Sequence, residues 1–114
     1  MRWIVAFLML LVAGPVWAAS NVLTWMDNSG NEANFNIERK VEACSGPLAF
    51  VPLATVGANI VTFTDTAVTE GVTYCYRVNA SNTAGISVFS NTASRLVPFT
   101  VPNAPSGLGV VGGP

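Results

Sequence analysis

The sequence contains no histidine, and charged residues make up only 10% of its 114 residues. Without histidine, the chain lacks the side chain that most often serves as a general base or a metal ligand near neutral pH. The six carboxylates are scattered along the chain, and no serine or threonine lies in a nucleophile-elbow pattern. These absences argue against an enzyme, and we expect no metal and no cofactor.

Basic residues are also few, and the net charge of the whole chain is −1. Such a chain offers no basic surface for nucleic acid or anionic lipid. No apolar run after residue 19 approaches the length of a spanning helix, which needs about 20 residues. We therefore expect no nucleic-acid partner, and no membrane partner once the N-terminal segment described next has been removed.

Residues 1–18 have the features of a secretory signal peptide. Arg2 supplies a positive start, residues 3–13 form a short apolar run, and Ala18 is the small residue that a signal peptidase requires. The run is about half as long as a spanning helix, which favours a removed signal over a membrane anchor. The sequence therefore predicts an exported protein, in the periplasm, at the cell surface or in the medium. Residues 19–114 would remain, a length that suits one domain.

Residues 71–80, which read GVTYCYRVNA, form the clearest strand signal in the chain. Tyr74, Tyr76 and Val78 alternate with more polar residues, a period of two that predicts a strand with one buried face. Thr, Tyr and Val are also the residue types that suit a pleated, half-buried surface. This strand is expected to lie at the centre of the fold.

Shorter β-branched or alternating segments lie before and after this strand, separated by turns rich in Asn, Gly, Asp and Ser. No segment has a sustained helical period, so the sequence predicts an all-β antiparallel sandwich. The other predicted strands are residues 22–25, 35–40, 50–56, 60–66 and 86–97. Their predicted inward residues are Leu23, Trp25, Phe35, Ile37, Ile86, Val88, Ala93 and Leu96, and the strand at residues 50–56 is centred on Leu53 and Val56.

The runs NFNIERK, LATVGANI, TFTDT, TYCYRV and SNTAG resemble fibronectin type III domains, most closely those of secreted bacterial proteins. The resemblance covers residues 21–97 and implies an immunoglobulin-like sandwich. It places Leu23 and Trp25 in the second strand of the family and Tyr74 at its tyrosine corner. The family serves spacing, adhesion and binding, so the resemblance implies no single function. The Arg-Gly-Asp motif of some members is absent, so integrin adhesion is not implied.

The resemblance also bears on the two cysteines, Cys44 and Cys75. Cys75 lies on the outward side of its strand by alternation, and Cys44 follows the strand that lies beside it in this family. In an exported chain, two cysteines that are neighbours in the fold are expected to form a disulfide. Closing this loop would contribute about 3–4 kcal/mol. A metal-binding or catalytic thiol is the alternative, which the absence of histidine disfavours.

The chain departs from the family at its first strand. Residues 19–97 form the predicted domain. The segment that resembles the family's second strand begins only a few residues after residue 19, so the first strand is missing or is supplied by another segment. Residues 98–114 form a Pro- and Gly-rich tail that resembles the first strand of a following repeat. Its apolar residues Leu108, Val110 and Val111 are candidates for a donated strand.

An unfilled first-strand position would leave backbone groups unpaired at a sheet edge. Because the family's termini lie at opposite ends, the tail is expected to leave from the wrong end to fill its own chain's position. Residues 102–114 reach at most about 45 Å, enough to enter a neighbouring copy by donor-strand complementation. Such a head-to-tail contact does not close on itself, and the product is a homopolymer. The alternative is a flexible remnant of a tandem array, since proline and glycine suit a central strand poorly.

Two functions from different classes remain. The first is a non-enzymatic structural or interaction module of an extracellular assembly, whose partners are other copies or a surface protein. The second is a monomeric module that binds a protein or a polysaccharide through its loops. The candidate loop residues are Asp27, Asn28, Asn31, Asn82 and Thr83. The segment 27–32 has the alternating oxygens of a calcium loop but not its glycine position, so a plain turn is favoured. A sugar site would need exposed Trp or Tyr, and these are predicted to face inward.

Overall fold

The computed structural model describes residues 19–114; the predicted signal peptide, residues 1–18, lies outside the described residues. Every regular element of the described part is a β-strand: β1 (Asn21–Thr24), β2 (Asn34–Lys40), β3 (Val51–Gly57), β4 (Thr62–Asp65), β5 (Thr73–Asn82), β6 (Gly85–Ile86) and β7 (Ala93–Leu96). β1 and β4 form one antiparallel sheet. The other sheet has the order β3-β2-β5, and both β6 and β7 pair with β5. The predicted all-β antiparallel sandwich is confirmed.

The pairing of β2 with β5 organises the larger sheet. Phe35 lies opposite Ala80 and Ile37 opposite Val78, all on the inner face, while Asn36 lies opposite Asn79 on the outer face. Because successive side chains alternate between faces, this register buries the apolar set of both strands together. The buried core consists of Phe35, Ile37, Tyr74, Tyr76, Val78 and Val97.

β1 and β4 cover this core only in part. Leu23 and Trp25 are half-buried and pack against it, and the rings of Trp25 and Phe35 lie 5.7 Å apart. All six residues predicted as core in the first, second and central strands therefore contact one cluster, but those of β1 keep one side open. The smaller sheet is thus incomplete where β1 lies.

The last predicted strand, residues 86–97, is interrupted. β6 and β7 are separated by a bulge in which the hydroxyls of Ser87 and Ser90 accept hydrogen bonds from the backbone amides of Ala80 and Val78. These serines replace backbone carbonyls in the ladder, so the chain between them leaves the sheet. The prediction that Ile86, Val88, Ala93 and Leu96 face the core is wrong. All four are exposed, Val88 by 89%, and Val97 is the buried residue of this segment.

The two cysteines form a disulfide that closes a loop of 31 residues, with a Cα–Cα distance of 5.1 Å. Cys75 belongs to the outer face of β5, as alternation predicts, yet it is fully buried because the disulfide loop covers it. Lys40 holds this loop, since its ammonium donates hydrogen bonds to the carbonyls of Cys44 and Gly46. The disulfide therefore ties the loop after β2 to the central strand.

The hydroxyl of Tyr74 accepts a hydrogen bond from the amide of Thr69, five residues upstream, at 2.9 Å. That is the contact by which a tyrosine corner fixes the turn before its strand. The guanidinium of Arg39 lies over this ring, 5.0 Å from its centroid, and donates to the carbonyl of Ala67 at 2.9 Å. Tyr74 and Arg39 therefore both contact the turn after β4.

Candidate functional site

β1 has a free edge. The amide of Trp25 donates to Val61, and the carbonyl of Leu23 accepts from the Thr62 hydroxyl, so both groups face β4. Backbone groups of successive residues alternate between the two sides of a strand. Those of Val22 and Thr24 therefore face away from β4, and no described strand lies there. This is the position that the missing first strand would fill.

A groove of about 740 Å³ runs along this edge, between β1 and the far sheet. Leu23 and Trp25 line one side, and Tyr76, Val78 and residues of β7 line the other. The groove thus opens onto core residues of both sheets. An extended segment placed there would bury apolar surface and pair with the edge of β1 at the same time.

The indole nitrogen Nε1 of Trp25 is buried and has no hydrogen-bond partner among the described residues. A buried donor without a partner costs about 1–3 kcal/mol. Nearly all buried polar groups in proteins are satisfied, so this nitrogen can donate one further hydrogen bond. Arg39 Nε is the other buried side-chain atom of the described residues without a partner. A backbone carbonyl of an inserted strand would be a suitable acceptor.

A chain of buried and part-buried hydrogen bonds begins at Asn21, Tyr76 and Arg95, which line the groove. The Arg95 guanidinium donates to Asn21 Oδ1 at 2.7 Å, and Asn21 Nδ2 donates to the Tyr76 hydroxyl at 2.8 Å. Tyr76 in turn donates to Asp65 Oδ2 at 2.7 Å, and Arg39 donates to the same oxygen at 2.8 Å. The chain joins the two sheets and fixes the start of β1.

The ionisation of this network follows from its burial. Burial alone raises the pKa of the Asp65 carboxyl, but hydrogen bonds from Tyr76 and Arg39 outweigh it and hold the pKa below its usual 3.8. Burial also raises the pKa of Tyr76 to about 12, and the Asp65 charge beside the hydroxyl adds to the effect. Asp65 is therefore ionised and Tyr76 neutral over the ordinary pH range.

The tail is fixed only at its beginning. The ring of Phe99 lies against Gly71, and the backbone amide and hydroxyl of Thr100 both donate to the Glu70 carboxylate. Beyond Thr100 the described chain forms no strand. The candidate donor residues Leu108, Val110 and Val111 are all at least 90% exposed, and none lies in the groove of its own chain.

The two ends of the domain lie together. Arg95, one residue before β7 ends, donates to the carbonyl of Ser20, one residue before β1 begins. The tail therefore leaves from the end of the sandwich where β1 begins. A first strand antiparallel to β1 would have to enter from the other end, so the tail leaves from the wrong end to fill that position in its own chain.

The structure brings together two of the five candidate loop residues, Asn31 and Asn82. Asn82 Nδ2 donates to the carbonyl of Asn31 at 3.0 Å, so the structure brings those two loops together, whereas Asn28 lies beside the β1 groove. Asp27 accepts from the amide of Ser29 in a local turn. Thr83 is exposed and does not line the β1 groove.

Glu32 ties these loops to the turn after β3. It accepts from the Ser29 hydroxyl at 2.6 Å and from the Asn59 amide at 3.1 Å. The Ser29 hydrogen bond, with further help from the Asn59 amide, lowers the pKa of Glu32 to about 2. Within residues 19–114, no three His, Cys, Asp or Glu side chains come together as a metal site. The same residues include no helix that is both long and apolar enough to cross a membrane.

Two aromatic residues outside the predicted core and the predicted sites, Phe50 and Phe89, lie on the outer face of the larger sheet. The Arg77 guanidinium lies 4.1 Å from the ring centroid of Phe50 and 3.6 Å from that of Phe89. Phe89 reaches this place because the serine bulge carries it out of the ladder. In the sequence, the one signal for such a break was the occurrence of Ser and Asn close together between residues 87 and 92.

Comparisons with known proteins address the fold. No protein-family model matches the chain, and a search of curated proteins finds no match. Among solved structures, the twitchin kinase region from C. elegans is similar over 74% of this chain, with 24% identity and a TM-score of 0.58. This chain spans only 15% of that one.

A second solved structure is the sixth fibronectin type III domain from human fibronectin type III domain containing protein 3. It is similar over 78% of this chain and 81% of its own, with 15% identity and a TM-score of 0.59. The described chain therefore has the fold of a fibronectin type III domain.

Proposed function

We propose that this chain is a secreted, non-enzymatic structural and interaction module that accepts an extended segment along the free edge of β1. The observation that carries the proposal is the unpaired edge itself, which lies over a groove of about 740 Å³ and beside the unpartnered Nε1 of Trp25. Edge pairing would supply backbone hydrogen bonds, and the groove would receive alternate side chains. The fold is compatible with such a role but does not by itself specify a function, so the proposal rests on the edge and the groove.

The segment we assign to this edge is the C-terminal tail of a second copy. Leu108 and Val110 are two residues apart, so in an extended strand they lie on one face. Both are almost fully exposed in their own chain. Burying an aliphatic side chain contributes about 1.5–3 kcal/mol, so burial of these two residues in a partner would favour binding of the tail.

The direction of the tail favours exchange between copies. The tail leaves at the end of the sandwich where β1 begins, and contacts at Gly71 and Glu70 hold it there. Folded back on its own domain, it would run parallel to β1. A tail from a neighbour can enter from the other end and pair antiparallel, the slightly more stable arrangement. Each copy then accepts one tail and donates one, which builds a filament.

The compartment is part of the same proposal. The disulfide between Cys44 and Cys75 is compatible with an oxidising environment outside the cytoplasm. The signal-like residues 1–18 and the resemblance to secreted bacterial domains support export. We therefore propose a partner that is another copy or a surface protein outside the cell.

Sedimentation velocity of residues 19–114 over a wide concentration range tests the assembly. We expect species larger than a monomer that increase with concentration and disappear when residues 102–114 are removed. Thr24→Pro should have the same effect as the truncation, because it deletes a free-edge amide of β1. Thr64→Pro is the matched control, since Thr64 is opposite Val22 and its amide faces the other edge of the small sheet. Monomers at every concentration would contradict the proposal.

A further inference from the structure

The inner face of the β1 edge presents three side chains in a fixed order. Asn21 is only 3% exposed and is held by hydrogen bonds to Tyr76 and Arg95. Leu23 and Trp25 follow at intervals of two, and both are half-buried against the core. Directly opposite residues of an antiparallel pair have their side chains on the same face. A strand that pairs with this edge therefore needs two apolar residues opposite Leu23 and Trp25. Opposite Asn21 it needs a small residue, because an aliphatic side chain would crowd the hydrogen bonds of a buried amide.

The tail carries the complementary set at the same spacing: Leu108, Val110 and Gly112. In an extended strand these three residues share one face. When the tail runs antiparallel to β1, Leu108 can lie opposite Trp25, and Val110 then lies opposite Leu23. Gly112 falls opposite Asn21 and adds no side chain there. Two apolar residues and one small residue thus meet their positions together.

We infer that the donated tail pairs with β1 in a single register, in which Leu108 lies opposite Trp25. The inference rests on the proposed function, since it specifies how the same tail lies along the same edge. It also makes Gly112 a residue that determines the specificity of the contact, because its lack of a side chain selects this register.

The same register supplies the backbone pairing. Gly109 lies opposite Thr24 and Val111 opposite Val22, whose backbone groups face away from β4. Opposite residues of this kind exchange two N–H···O bonds across an antiparallel pair. Residues 108–112 contain no proline, so every amide needed for this pairing is present. On the outer face, the Val111 side chain lies beside Val22, which is 66% exposed in the single chain.

Other registers match the edge less well. A shift of one residue turns Leu108 and Val110 to the outer face and leaves glycines toward the core. A shift of two residues in one direction places Val110 opposite the buried Asn21. The opposite shift places Gly112 opposite Leu23, where it fills no apolar position, and moves Leu108 to the turn that follows β1.

The test joins the outer-face positions of two copies by a disulfide. Residues 19–114 carrying Val22→Cys are mixed with the same chain carrying Val111→Cys in a glutathione buffer. Products are identified by non-reducing electrophoresis and mass spectrometry. Opposite residues of a hydrogen-bonded pair have Cα atoms about 5.5 Å apart, within the range of a disulfide. We expect this mixture to cross-link, whereas Gly109→Cys or Gly113→Cys in place of Val111→Cys should not, because a step of two residues exceeds the limit of about 7 Å.

A second measurement tests Gly112 with a matched control. Gly112→Val and Gly113→Val add the same β-branched side chain to neighbouring positions of the tail, but only position 112 faces Asn21 in this register. Gly112→Val should weaken tail-dependent assembly about tenfold in sedimentation velocity, because it overfills the position. Gly113→Val should leave assembly unchanged.

The outcomes separate this inference from the proposed function. Cross-linking at residue 109 or 113 instead of 111 would overturn the register and leave the filament proposal standing. Tail-dependent assembly without cross-linking at any of the three positions, or equal effects of the two valine substitutions, would do the same. If no tail-dependent assembly occurs at all, the proposed function fails, and this inference fails with it.

Discussion

The hydroxyl of Tyr76 donates to Asp65 at 2.7 Å and accepts from Asn21 at 2.8 Å. Through this one group, the central strand holds the last residue of β4 and the first residue of β1. Tyr76 was expected to supply core surface. It also sets where the incomplete sheet begins, and so positions the edge that we propose as an acceptor.

Stability at acid pH should depend on Asp65. Its folded-state pKa is lowered, so its stabilising contribution is present above the unfolded-state pKa of about 3.9. The contribution is lost as the pH falls through the lower folded-state value. Asp65→Asn should cost about 1.5–3 kcal/mol at pH 7, where it removes charged hydrogen bonds. Urea unfolding from pH 7 to pH 2 should show a shallower acid decline for the variant. An equal decline in both proteins would contradict the assignment.

Stability at alkaline pH should depend on Tyr76. Its pKa is raised to about 12, so its contribution is complete below the unfolded-state value of about 10 and is lost as the pH rises toward the folded-state value. The loss should approach about 1.4 kcal/mol per pH unit within that window. Tyr76→Phe should be less stable at pH 7 and should lack this alkaline slope in urea unfolding. A variant with the full slope would show that another group titrates.

The disulfide should supply a large part of the stability. Closing its 31-residue loop is expected to contribute about 3–4 kcal/mol. We therefore expect the double variant Cys44→Ala/Cys75→Ala to lose that amount in urea unfolding, with its strands retained in circular dichroism. Reduction of the unaltered protein should have a similar effect. A loss below about 1 kcal/mol would mean that Lys40 and its carbonyl contacts hold the loop without the bond.

Gly71 should resist substitution for two separable reasons. Its φ of +81° belongs to the left-handed region, and an added Cβ would meet the ring of Phe99. Gly71→Ala should cost about 1–2 kcal/mol from backbone strain and should also release Phe99, an exposed side chain that can swing away. In the background of Phe99→Ala, the same substitution should retain only the backbone cost. Equal losses in both backgrounds would show that Phe99 does not anchor the tail.

Period-two patterns predicted the strands of this domain well where one face of the strand is apolar and buried and the other is polar and exposed. In the central strand, Tyr74, Tyr76 and Val78 are buried as alternation requires. Alternation could not show that Cys75 and Asn79, on the other face, are buried too. The disulfide loop covers Cys75, and the hydrogen-bonded Asn36 lies beside Asn79. Both contacts depend on residues distant in sequence.

The same limit applies to the candidate sites. The missing first strand was visible from the sequence because it concerns the order of segments along the chain. The Asn21, Tyr76 and Asp65 network was not, since its members come from three strands and Asn21 reads as an ordinary loop residue. The bulge after β6 was missed because β-branched residues there outweighed the two serines that take the place of backbone acceptors.

The most direct test of strand acceptance uses Trp25, the one tryptophan in residues 19–114. Residues 101–114 form no strand and make no side-chain hydrogen bonds in the described structure, so residues 19–101 should fold alone. A peptide of residues 102–114 is titrated into that protein while the single indole N–H resonance is followed by NMR. We predict that the peptide shifts this resonance and slows the exchange of the indole proton with solvent. The effect should persist in the control variant Thr64→Pro and should be lost in the edge variant Thr24→Pro. An unchanged indole resonance at peptide saturation, in a protein that remains folded, would contradict the account.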